Sequence, residues 1–539
     1  MKTTHSYLQV LPLLLFLHCW EATNAQSYLY NHKQTLSESI DIDDQQAIST
    51  KAFTEVTGET KYAYAATFRP SVLNQGVQRP LLVKLKQNLP FSAPFAVEWA
   101  KTFIFPTEKN GTANNEFFDV NDVHYSALDK TYILCGRSIT EGGGTPRAFM
   151  MTTDSDGNVL IVKRYPDIAR LTSVVSKKKE GMGYMAVGST QKDKDSDTSG
   201  ALMLSVDSEL VPVCAKDIRG SGTWNTSINR GYSKIIQYGA DFAMVGTISD
   251  GQADESSNVL VTVADEECEI VMNKHYGSGV ELEDGTQYRY DENGLSITAV
   301  GFNLFISGVT QKSIVGLCTD PIFRDILLFR LNRKGNVMFM KHYDHAGLSD
   351  VGFAITHRPE KPANPPIFTP MFKPLPRRPK SEIFIAGSTG SEQFNKVAND
   401  DVFLLTTDMN GDQKSFEIFG GGWNDGHVHQ ANVDLAITHD RNALILANTM
   451  SFTNNPSTEV YSFLIERYDT IADQCEDKVV EADSSTYPFP GYDGGSAVSI
   501  EVSYEAENME AVDVVINSDT LCEKKKVEKS ATKKEDWEY

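Results

Sequence analysis

The sequence predicts an all-β fold: a seven-bladed β-propeller of four-stranded antiparallel blades with a small β-rich C-terminal appendage. Three observations support this prediction. An apolar strand that ends in a small residue and then usually Ser or Thr recurs seven times, at intervals of 52 to 79 residues. Its fifth position is Gly in five copies, and Ala66 and Asn448 replace it in the other two. Three further segments recur beside the copies of this strand. The seven anchor strands begin at Tyr62, Tyr132, Tyr184, Phe242, Leu304, Ile383 and Leu444.

Each anchor strand belongs to a four-strand unit, and the second copy shows its parts in order. An upstream strand at 122–128 precedes the anchor, and a strand at 147–154, the turn "DSDGN" and an outer strand at 158–165 follow it. A four-stranded twisted sheet buries its apolar surface only by packing against other sheets. Intervals of this size are typical of propeller blades, so the repeat predicts sheets arranged around an axis.

The domain organisation follows from the repeat. We expect a signal peptide at 1–25, because "LPLLLFLHCW" is apolar and Thr23 and Ala25 are small residues at cleavage spacing. A lead-in at 26–47 precedes the propeller at 48–472, which carries a Pro-rich insertion at 358–380. Residues 473–522 are expected to form the small β-rich segment, and 523–539 a disordered charged tail.

Charge and cysteine content narrow the classes of function. The chain has 50 Lys and Arg against 72 Asp and Glu, a net charge of −22, which disfavours nucleic acid and favours cations or basic partners. Six cysteines follow the predicted signal peptide, and none forms a CxxC pair, so a zinc site is not indicated. Cys475 and Cys522 bracket the C-terminal segment and are the first candidates for a disulfide.

The combined motifs resemble those of secreted β-propeller repeat proteins of Bacteroidota-type cell envelopes. In the sixth copy they read "IFIAGST", then "DVFLLTTD", then "DMNGD" and a trailing "EIFGGG". This resemblance covers most of residues 48–472 and implies a surface interaction or scaffolding role. No shared catalytic residues come with it. The chain departs from the family because no long sorting domain follows the repeats.

Two tight turns contain residues of the kind that bind calcium. Asp154, Asp156 and Asn158 alternate before and after a glycine, as do Asp408, Asn410 and Asp412. Neither turn continues with the spacing of an EF-hand, and "NRKGN" at the equivalent place in another copy carries two cations. A hairpin turn with glycine at positive φ explains all three, so calcium is the less favoured alternative.

The predicted topology collects long loops on one face of the propeller. Connections between the second and third strands and connections between blades open on the same side. They carry aromatic and acidic residues that we take as candidate ligand-binding positions: Trp224, Tyr288, Tyr290, Trp423, Asp254, Glu255, Glu283 and Asp284. The alternative is that the acidic residues reflect overall composition and that each aromatic packs beneath its own loop.

These observations predict an acidic, secreted or cell-surface protein that binds a protein or glycan with this loop face and has no activity of its own. The contrasting hypothesis is a propeller-type hydrolase or lyase with a metal and carboxylates in the central funnel. The motifs G-x-S-x-G, HExxH and the P-loop are absent from the sequence. No transmembrane segment and no cofactor are predicted, apart from the calcium alternative.

Overall fold

The structure is a computed structural model in which every described regular element is a β-strand. The described residues are 31–38, 52–57, 61–68, 81–86, 96–104, 116–140, 145–179, 181–190, 200–219, 231–249, 257–277, 279–281, 287–314, 324–345, 349–360, 381–391, 399–419, 433–437, 443–449, 461–467, 478–480, 483–485, 491–493, 496–499, 505–507, 510–513 and 516–522.

The described strands form seven antiparallel sheets, and in six of them four strands follow one another directly in the chain. Sheet 1 contains β2 (Ala52–Thr57), β3 (Lys61–Phe68), β4 (Leu81–Lys86) and β5 (Ala96–Ile104). Sheet 2 contains β6 (Glu116–Ser126), β7 (Thr131–Thr140), β8 (Arg147–Thr153) and β9 (Val159–Tyr165). Sheet 3 contains β10 (Ile168–Ser176), β11 (Tyr184–Thr190), β12 (Ala201–Val206) and β13 (Pro212–Arg219).

The remaining sheets repeat this pattern. Sheet 4 contains β14 (Gly231–Tyr238), β15 (Asp241–Ser249), β16 (Ser257–Ala264) and β17 (Ile270–Tyr276). Sheet 5 contains β18 (Gly279–Glu281), β19 (Gln287–Val300), β20 (Asn303–Ile314), β21 (Arg324–Leu331) and β22 (Val337–Asp344). Sheet 6 contains β23 (Asp350–Arg358), β24 (Glu382–Ser391), β25 (Asn399–Thr407) and β26 (Gln413–Phe419). Sheet 7 contains β27 (Val433–Ile437), β28 (Ala443–Thr449) and β29 (Tyr461–Arg467).

The sheets are arranged as a β-propeller. The long inner strands β2, β6, β10, β14, β19, β23 and β27 each contact the inner strands of the sheets before and after them. The series returns to its start, because β27 of sheet 7 contacts β2 of sheet 1. The prediction of an all-β propeller of four-stranded antiparallel sheets is therefore confirmed.

The apolar core is divided among the boundaries between neighbouring sheets. Ile133 and Met150 of sheet 2 pack with Ala186 and Leu202 of sheet 3 in one cluster. Equivalent clusters join the following sheets as far as the boundary between sheets 6 and 7. The strands β11, β12 and β16 are buried along their whole length, because both faces of each sheet are covered. Burial on both faces is the physical advantage of a ring of sheets.

The glycine of the anchor strand is explained by a bulge in the neighbouring inner strand. The register shifts at this point in five sheets, for example between Gly294 and Ser296 opposite Gly308. The bulge brings a carbonyl so close that a Cβ on Gly308 would lie 1.9 Å from the Asn293 oxygen. Glycine is the residue without that Cβ, so the repeated sequence motif records a backbone contact.

The fourth strand of sheet 7 comes from the other end of the chain. Strand β1 (Asn31–Glu38) pairs antiparallel with β29, with Gln34 opposite Leu464. The sequence analysis placed residues 26–47 outside the repeats, because β1 lacks the anchor motif. The lead-in as a domain boundary stays a prediction, and within it Asn31–Glu38 is a strand of sheet 7.

The small β-rich C-terminal appendage is not confirmed. Seven short strands between 478 and 522 each join a different sheet as its outermost strand, and none of them pairs with another of the seven. They are β30 (Lys478–Val480), β31 (Asp483–Ser485), β32 (Gly491–Asp493), β33 (Ser496–Ser499), β34 (Glu505–Glu507), β35 (Glu510–Asp513) and β36 (Ile516–Cys522). Their order follows sheets 6, 5, 4, 3, 2, 1 and 7. Each free outer edge offers hydrogen-bonding groups that such a strand satisfies.

The tight turns between the third and fourth strands follow one design. A side-chain oxygen of the first residue accepts the backbone N–H groups of the third and fifth residues at 2.7–3.1 Å. The fourth residue has a φ of 60–78°. The first and fourth residues are Asp154 and Gly157, Asp207 and Leu210, Asp265 and Cys268, Asn332 and Gly335, and Asp408 and Gly411.

These turns also hold neighbouring sheets together. The hydroxyls of Tyr165, Tyr276 and Tyr343 donate hydrogen bonds to the carbonyls of Leu210, Gly335 and Gly411 in the next sheet, at 2.5–2.8 Å. At the boundary between sheets 3 and 4, Ile218 stands at the equivalent position and has no hydroxyl. A disulfide between Cys214 and Cys268 joins the same turn to the preceding sheet there. The sequence analysis missed this pair because 54 residues separate the two cysteines.

The structure does not test the predicted disulfide between Cys475 and Cys522. Cys475 lies outside the described residues, and Cys522 is described only as a position in β36. That pairing stays a prediction. Cys135 is a buried free cysteine in sheet 2.

A buried ion pair links the inner strands of sheets 2 and 4. The Lys234 ammonium lies 3.1 Å from Asp122 Oδ1, and Asp122 Oδ2 accepts hydrogen bonds from the Ser173 hydroxyl and the Val174 N–H of sheet 3. Burial alone would lower the pKa of Lys234. The carboxylates of Asp122 and Asp434 outweigh that effect and raise it, so the lysine is charged.

The disulfide gives a first testable expectation. Cys214→Ser and Cys268→Gly each remove the link, which typically lowers the free energy of unfolding by about 2–4 kcal/mol. The loss is smaller for Cys268→Gly, because glycine adopts the positive φ of this turn without the penalty that a side chain incurs. Chemical denaturation measures both variants. Non-reducing peptide mapping that finds no link between Cys214 and Cys268 contradicts the assignment.

The ion pair gives a second expectation. Lys234→Met leaves the Asp122 carboxylate buried without its cation and lowers the free energy of unfolding by about 3–5 kcal/mol. Adding Asp122→Asn to the same chain recovers most of this loss, since the amide oxygen still accepts the Val174 N–H. Urea denaturation of both single variants and the double variant tests the coupling. Additive losses in the double variant contradict a direct pair.

Candidate functional site at the loop end of the sheets

The propeller has two distinct ends. At the turn end lie the tight turns between third and fourth strands and the connections between first and second strands. The connection that contains the Pro-rich insertion belongs to this end, because it joins β23 to β24. At the loop end lie the connections between second and third strands and those between sheets. All eight candidate ligand-binding residues belong to the loop end by their place in the chain.

Six of those candidates lie outside the described residues: Trp224, Trp423, Asp254, Glu255, Glu283 and Asp284. Tyr288 and Tyr290 are positions in β19, opposite Ile314 and Lys312 of β20. Of this predicted site, the structure therefore describes the backbone at the two tyrosines.

Sheet 5 projects further at the loop end than its neighbours. Strand β19 has 14 residues, whereas the inner strands of sheets 4 and 6 have 8 and 9. At a rise of about 3.3 Å per residue, the additional residues extend the hairpin of β19 and β20 by roughly 15–20 Å. Strand β18 pairs with the inner edge of β19 opposite the two tyrosines, with Val280 opposite Tyr288. The result is a three-stranded arm at the mouth of the propeller.

Carboxylates lie at the base of this arm in two equivalent rows. In sheet 5, Glu292 stands opposite Thr310, which stands opposite Asp325. In sheet 6, Asp350 stands opposite Thr389, which stands opposite Asp401. Glu292, Asp350 and Asp401 are at most 1% exposed. Two buried rows of acid, Thr and acid therefore underlie the loop end.

The sequence analysis missed these rows, although its motifs contain them. Thr310 and Thr389 are the residues that end the anchor strands, and Asp325 and Asp401 begin the apolar strand that follows. A repeat pattern marks such residues as shared, but it does not show which of them meet across a sheet. The cross-strand register supplied that information.

Asp350 has the most strongly shifted carboxyl group among the described residues. Burial raises its pKa well above the ordinary value, and the nearby carboxylates of Asp344 and Asp325 add to the rise. The His345 N–H donates a 2.6 Å hydrogen bond to Asp350 Oδ2, which acts in the opposite direction. The His345 ring stacks on Phe416, 5.4 Å between ring centroids. Asp350 is thus held in place beneath the surface.

The rows do not form a metal site. Within the described segments, no group of three His, Cys, Asp or Glu side chains is arranged to hold a metal ion. A buried carboxyl and a buried threonine are suited to hydrogen bonding within the protein.

The turn residues proposed as calcium ligands are used by the turns themselves. Asp154 Oδ1 accepts the N–H groups of Asp156 and Asn158, and Asp154 Oδ2 accepts the Asn158 amide at 2.8 Å. Burial of Asp154 opposes ionisation, but these hydrogen bonds hold its pKa below the ordinary value.

The second turn makes the same bonds. Asp408 accepts the N–H groups of Asn410 and Asp412, and Lys341 of sheet 5 lies 2.6 Å from Asp412 Oδ1. The geometry supports the turn interpretation at both places.

The comparisons with known proteins found matches among solved structures alone. No family model matches the chain, and no curated protein matches it. The WD40 domain of Pan2 from Neurospora crassa is 9% identical, with a TM-score of 0.39 over 81% of this chain and 99% of that chain. An α-L-arabinanase of Penicillium chrysogenum is 10% identical, with a TM-score of 0.39 over 81% and 98%. A protein of unknown function from Dyadobacter fermentans is 9% identical, with a TM-score of 0.34 over 80% and 99%.

At this level of similarity the neighbours carry no argument about function, and the assignment of the fold rests on the sheets and their contacts. The described part of the chain contains no helix of the length and apolarity needed to cross a membrane.

The turn interpretation has a direct test. Asp154→Ala and Asp408→Ala each remove the acceptor of two backbone N–H groups and lower the free energy of unfolding by about 1 kcal/mol. Asp156→Ala is the matched control, because that residue contributes its N–H to the turn. Calcium leaves the melting temperature of all four proteins unchanged. A calcium-dependent rise in the melting temperature of the wild type contradicts the turn interpretation.

Proposed function

We propose that the protein is an exported, seven-bladed β-propeller that binds a protein or glycan partner at its loop end and has no catalytic activity of its own. The seven sheets and the contact between β27 and β2 support a ring of seven blades. The loop end is the binding face because the projecting arm and most of the long connections, apart from the Pro-rich insertion, are on that side.

The projecting arm is the observation that carries this proposal. The hairpin of β19 and β20 extends roughly 15–20 Å further than the neighbouring sheets, which places its backbone where a partner at the loop end would meet it. Strand β18 covers its inner edge opposite Tyr288 and Tyr290, so these positions are held on a regular scaffold. Tyrosine is enriched where proteins bind partners, because its ring is apolar and its hydroxyl is polar.

Charge defines the preferred partner. The chain carries a net charge of −22, and the two acidic rows lie beneath the loop end. This arrangement favours a partner with a basic surface, since a focused negative potential accelerates the association of cations. The alternative partner is a glycan that stacks on the tyrosines of the arm.

Hydrolase activity is the competing function, and Asp350 is the observation in its favour. A carboxyl with a raised pKa beside other carboxylates is the arrangement that acid–base catalysts use. Asp350 is fully buried, however, and its Oδ2 is engaged by a backbone N–H. A general acid must reach the bond that it protonates, so we favour binding.

Export is part of the proposal. The Cys214–Cys268 disulfide joins two sheets, and such links persist in oxidising compartments. The predicted signal peptide and the resemblance to secreted propeller proteins agree with this location. Secretion or display at the cell surface would give the loop end access to extracellular partners.

A binding experiment with matched variants tests the function. Wild-type protein is applied to a glycan array and to immobilised poly-L-lysine, together with Tyr288→Ala/Tyr290→Ala and the control Phe302→Ala. Phe302 is exposed at the turn end. We expect binding to at least one of the two probes, about ten-fold weaker for the double variant, since aromatic anchors contribute about 1–2 kcal/mol. The control binds like the wild type.

Two outcomes contradict the proposal. Equal binding by the wild type and the double variant removes the arm from the binding face. Release of sugars from any glycan on the array identifies an enzyme instead. Circular dichroism of each variant first establishes that the sheets are intact.

A further inference from the structure

The outer edges of the seven sheets share a feature that goes beyond ligand binding at the loop end. Each of them is occupied by a short strand from one segment, residues 478–522, here called the C-terminal strap. In sheets 1 to 6 the strap pairs with the half of the outer strand nearer the loop end, and in sheet 7 it pairs with most of β1, from Lys33 to Glu38. In sheets 3 and 4, for example, it pairs with Lys216–Arg219 and Lys274–Tyr276. The strap therefore follows one continuous path around the ring.

The strap has no fold of its own. Its described pairings are all with the outer strands of the sheets, namely β26, β22, β17, β13, β9, β5 and β1. Residues 468–477 connect it to β29, the last strand of the repeats. A segment whose contacts are all with another surface binds to that surface like an extended peptide that adds a strand to a sheet edge.

Charge complementarity supports this relation. The strap contains nine acidic residues and one lysine. The outer strands present cations at matching positions of the register. Asp513 stands opposite Lys101, Glu505 opposite Arg164, and Asp493 opposite Lys274. Opposite charges at directly opposed positions stabilise an antiparallel pair.

The strap also holds the strand that completes sheet 7. Strand β1 lies between β29 and β36, with Leu36 opposite Ser462 on one side and Ser518 on the other. The last strand of the strap thus covers the outer edge of the strand that joins the start of the chain to its last repeat. Loss of the strap would expose this edge together with the six others.

We propose that the outer edges of the seven sheets form one continuous peptide-binding surface whose ligand is the C-terminal strap. The strap stays bound without its covalent connection to the propeller, and the same segment from a second copy of the chain can replace it. The strap shields seven edges that otherwise pair with other chains. Exchange between copies is the expected consequence when the connection to β29 is cut.

Cleavage of the folded full-length protein tests the proposal. A protease site is inserted after Ile471, so that Cys475 and Cys522 stay on the same fragment. After cleavage at low ionic strength, the strap fragment co-elutes with the propeller in gel filtration. High salt weakens this association at least ten-fold, because the attraction between the acidic strap and the cations of the outer strands is screened at about 1 M salt. A fluorescent synthetic peptide of residues 478–522 then rebinds, and an unlabelled copy displaces it.

Proline variants make the test specific to strand pairing. Val498→Pro and Val512→Pro lie in β33 and β35, where proline removes a backbone donor and disturbs the ladder. We expect each variant peptide to bind about ten-fold more weakly than the parent. Val502→Pro, between β33 and β34 in the chain, is the matched control and binds like the parent.

The proposal has clear contradicting outcomes. Immediate release of the fragment at low ionic strength shows that the strap is not held by the edges. Equal binding by a scrambled peptide of the same composition shows that charge alone attracts it. If the cleaved protein retains its strap even in high salt and excludes the labelled peptide, the strap is a permanent part of the fold. These results do not depend on the loop-end variants, so failure here is distinguishable from failure of the proposed function.

Discussion

The whole molecule depends on the packing of one sheet against the next. Apolar side chains from adjacent sheets share each cluster of the core, and the neighbouring turns add polar contacts at the edge of that boundary. The same residue of the turn, held at positive φ, accepts a tyrosine hydroxyl in three boundaries and forms a disulfide in a fourth. At these four boundaries the repeated turn thereby fixes one sheet against the next, and the contact between β27 and β2 returns the series to its start.

The inner strands meet a different requirement. Apart from β19, which pairs with β18, the described inner strands have no further strand at their inner edges. Residues at the bulges of these strands make hydrogen bonds to the next sheet. Asn121 donates to the Leu171 carbonyl and Thr172 donates to the Tyr232 carbonyl, each across a sheet boundary. The charged pair of Asp122 and Lys234 extends this polar lining. Charged and hydrogen-bonded groups are costly to bury singly, which ties the positions of three neighbouring sheets to one another.

The two ends and the outer edges of the ring divide the tasks of the protein. The turn end holds the sheets in register through compact capped turns. The loop end carries most of the long connections, the arm of sheet 5 and the acidic rows, and it is the surface that we propose for partner binding. The outer edges carry the C-terminal strap. A rigid ring of this kind positions variable loops without altering its own packing.

The sequence by itself determined the repeat, the four-strand unit, the glycine of the anchor strand and the capped turns. These features are local, because strand alternation, tight-turn chemistry and a missing Cβ act over a few residues. Tertiary structure alone decided that β1 completes sheet 7, that residues 478–522 spread over seven edges, and that Cys214 bonds to Cys268. It also decided which acids meet in the rows of sheets 5 and 6. Each of these results joins residues that are distant in the chain, and a pairing between distant segments depends on the register and order of all the sheets between them.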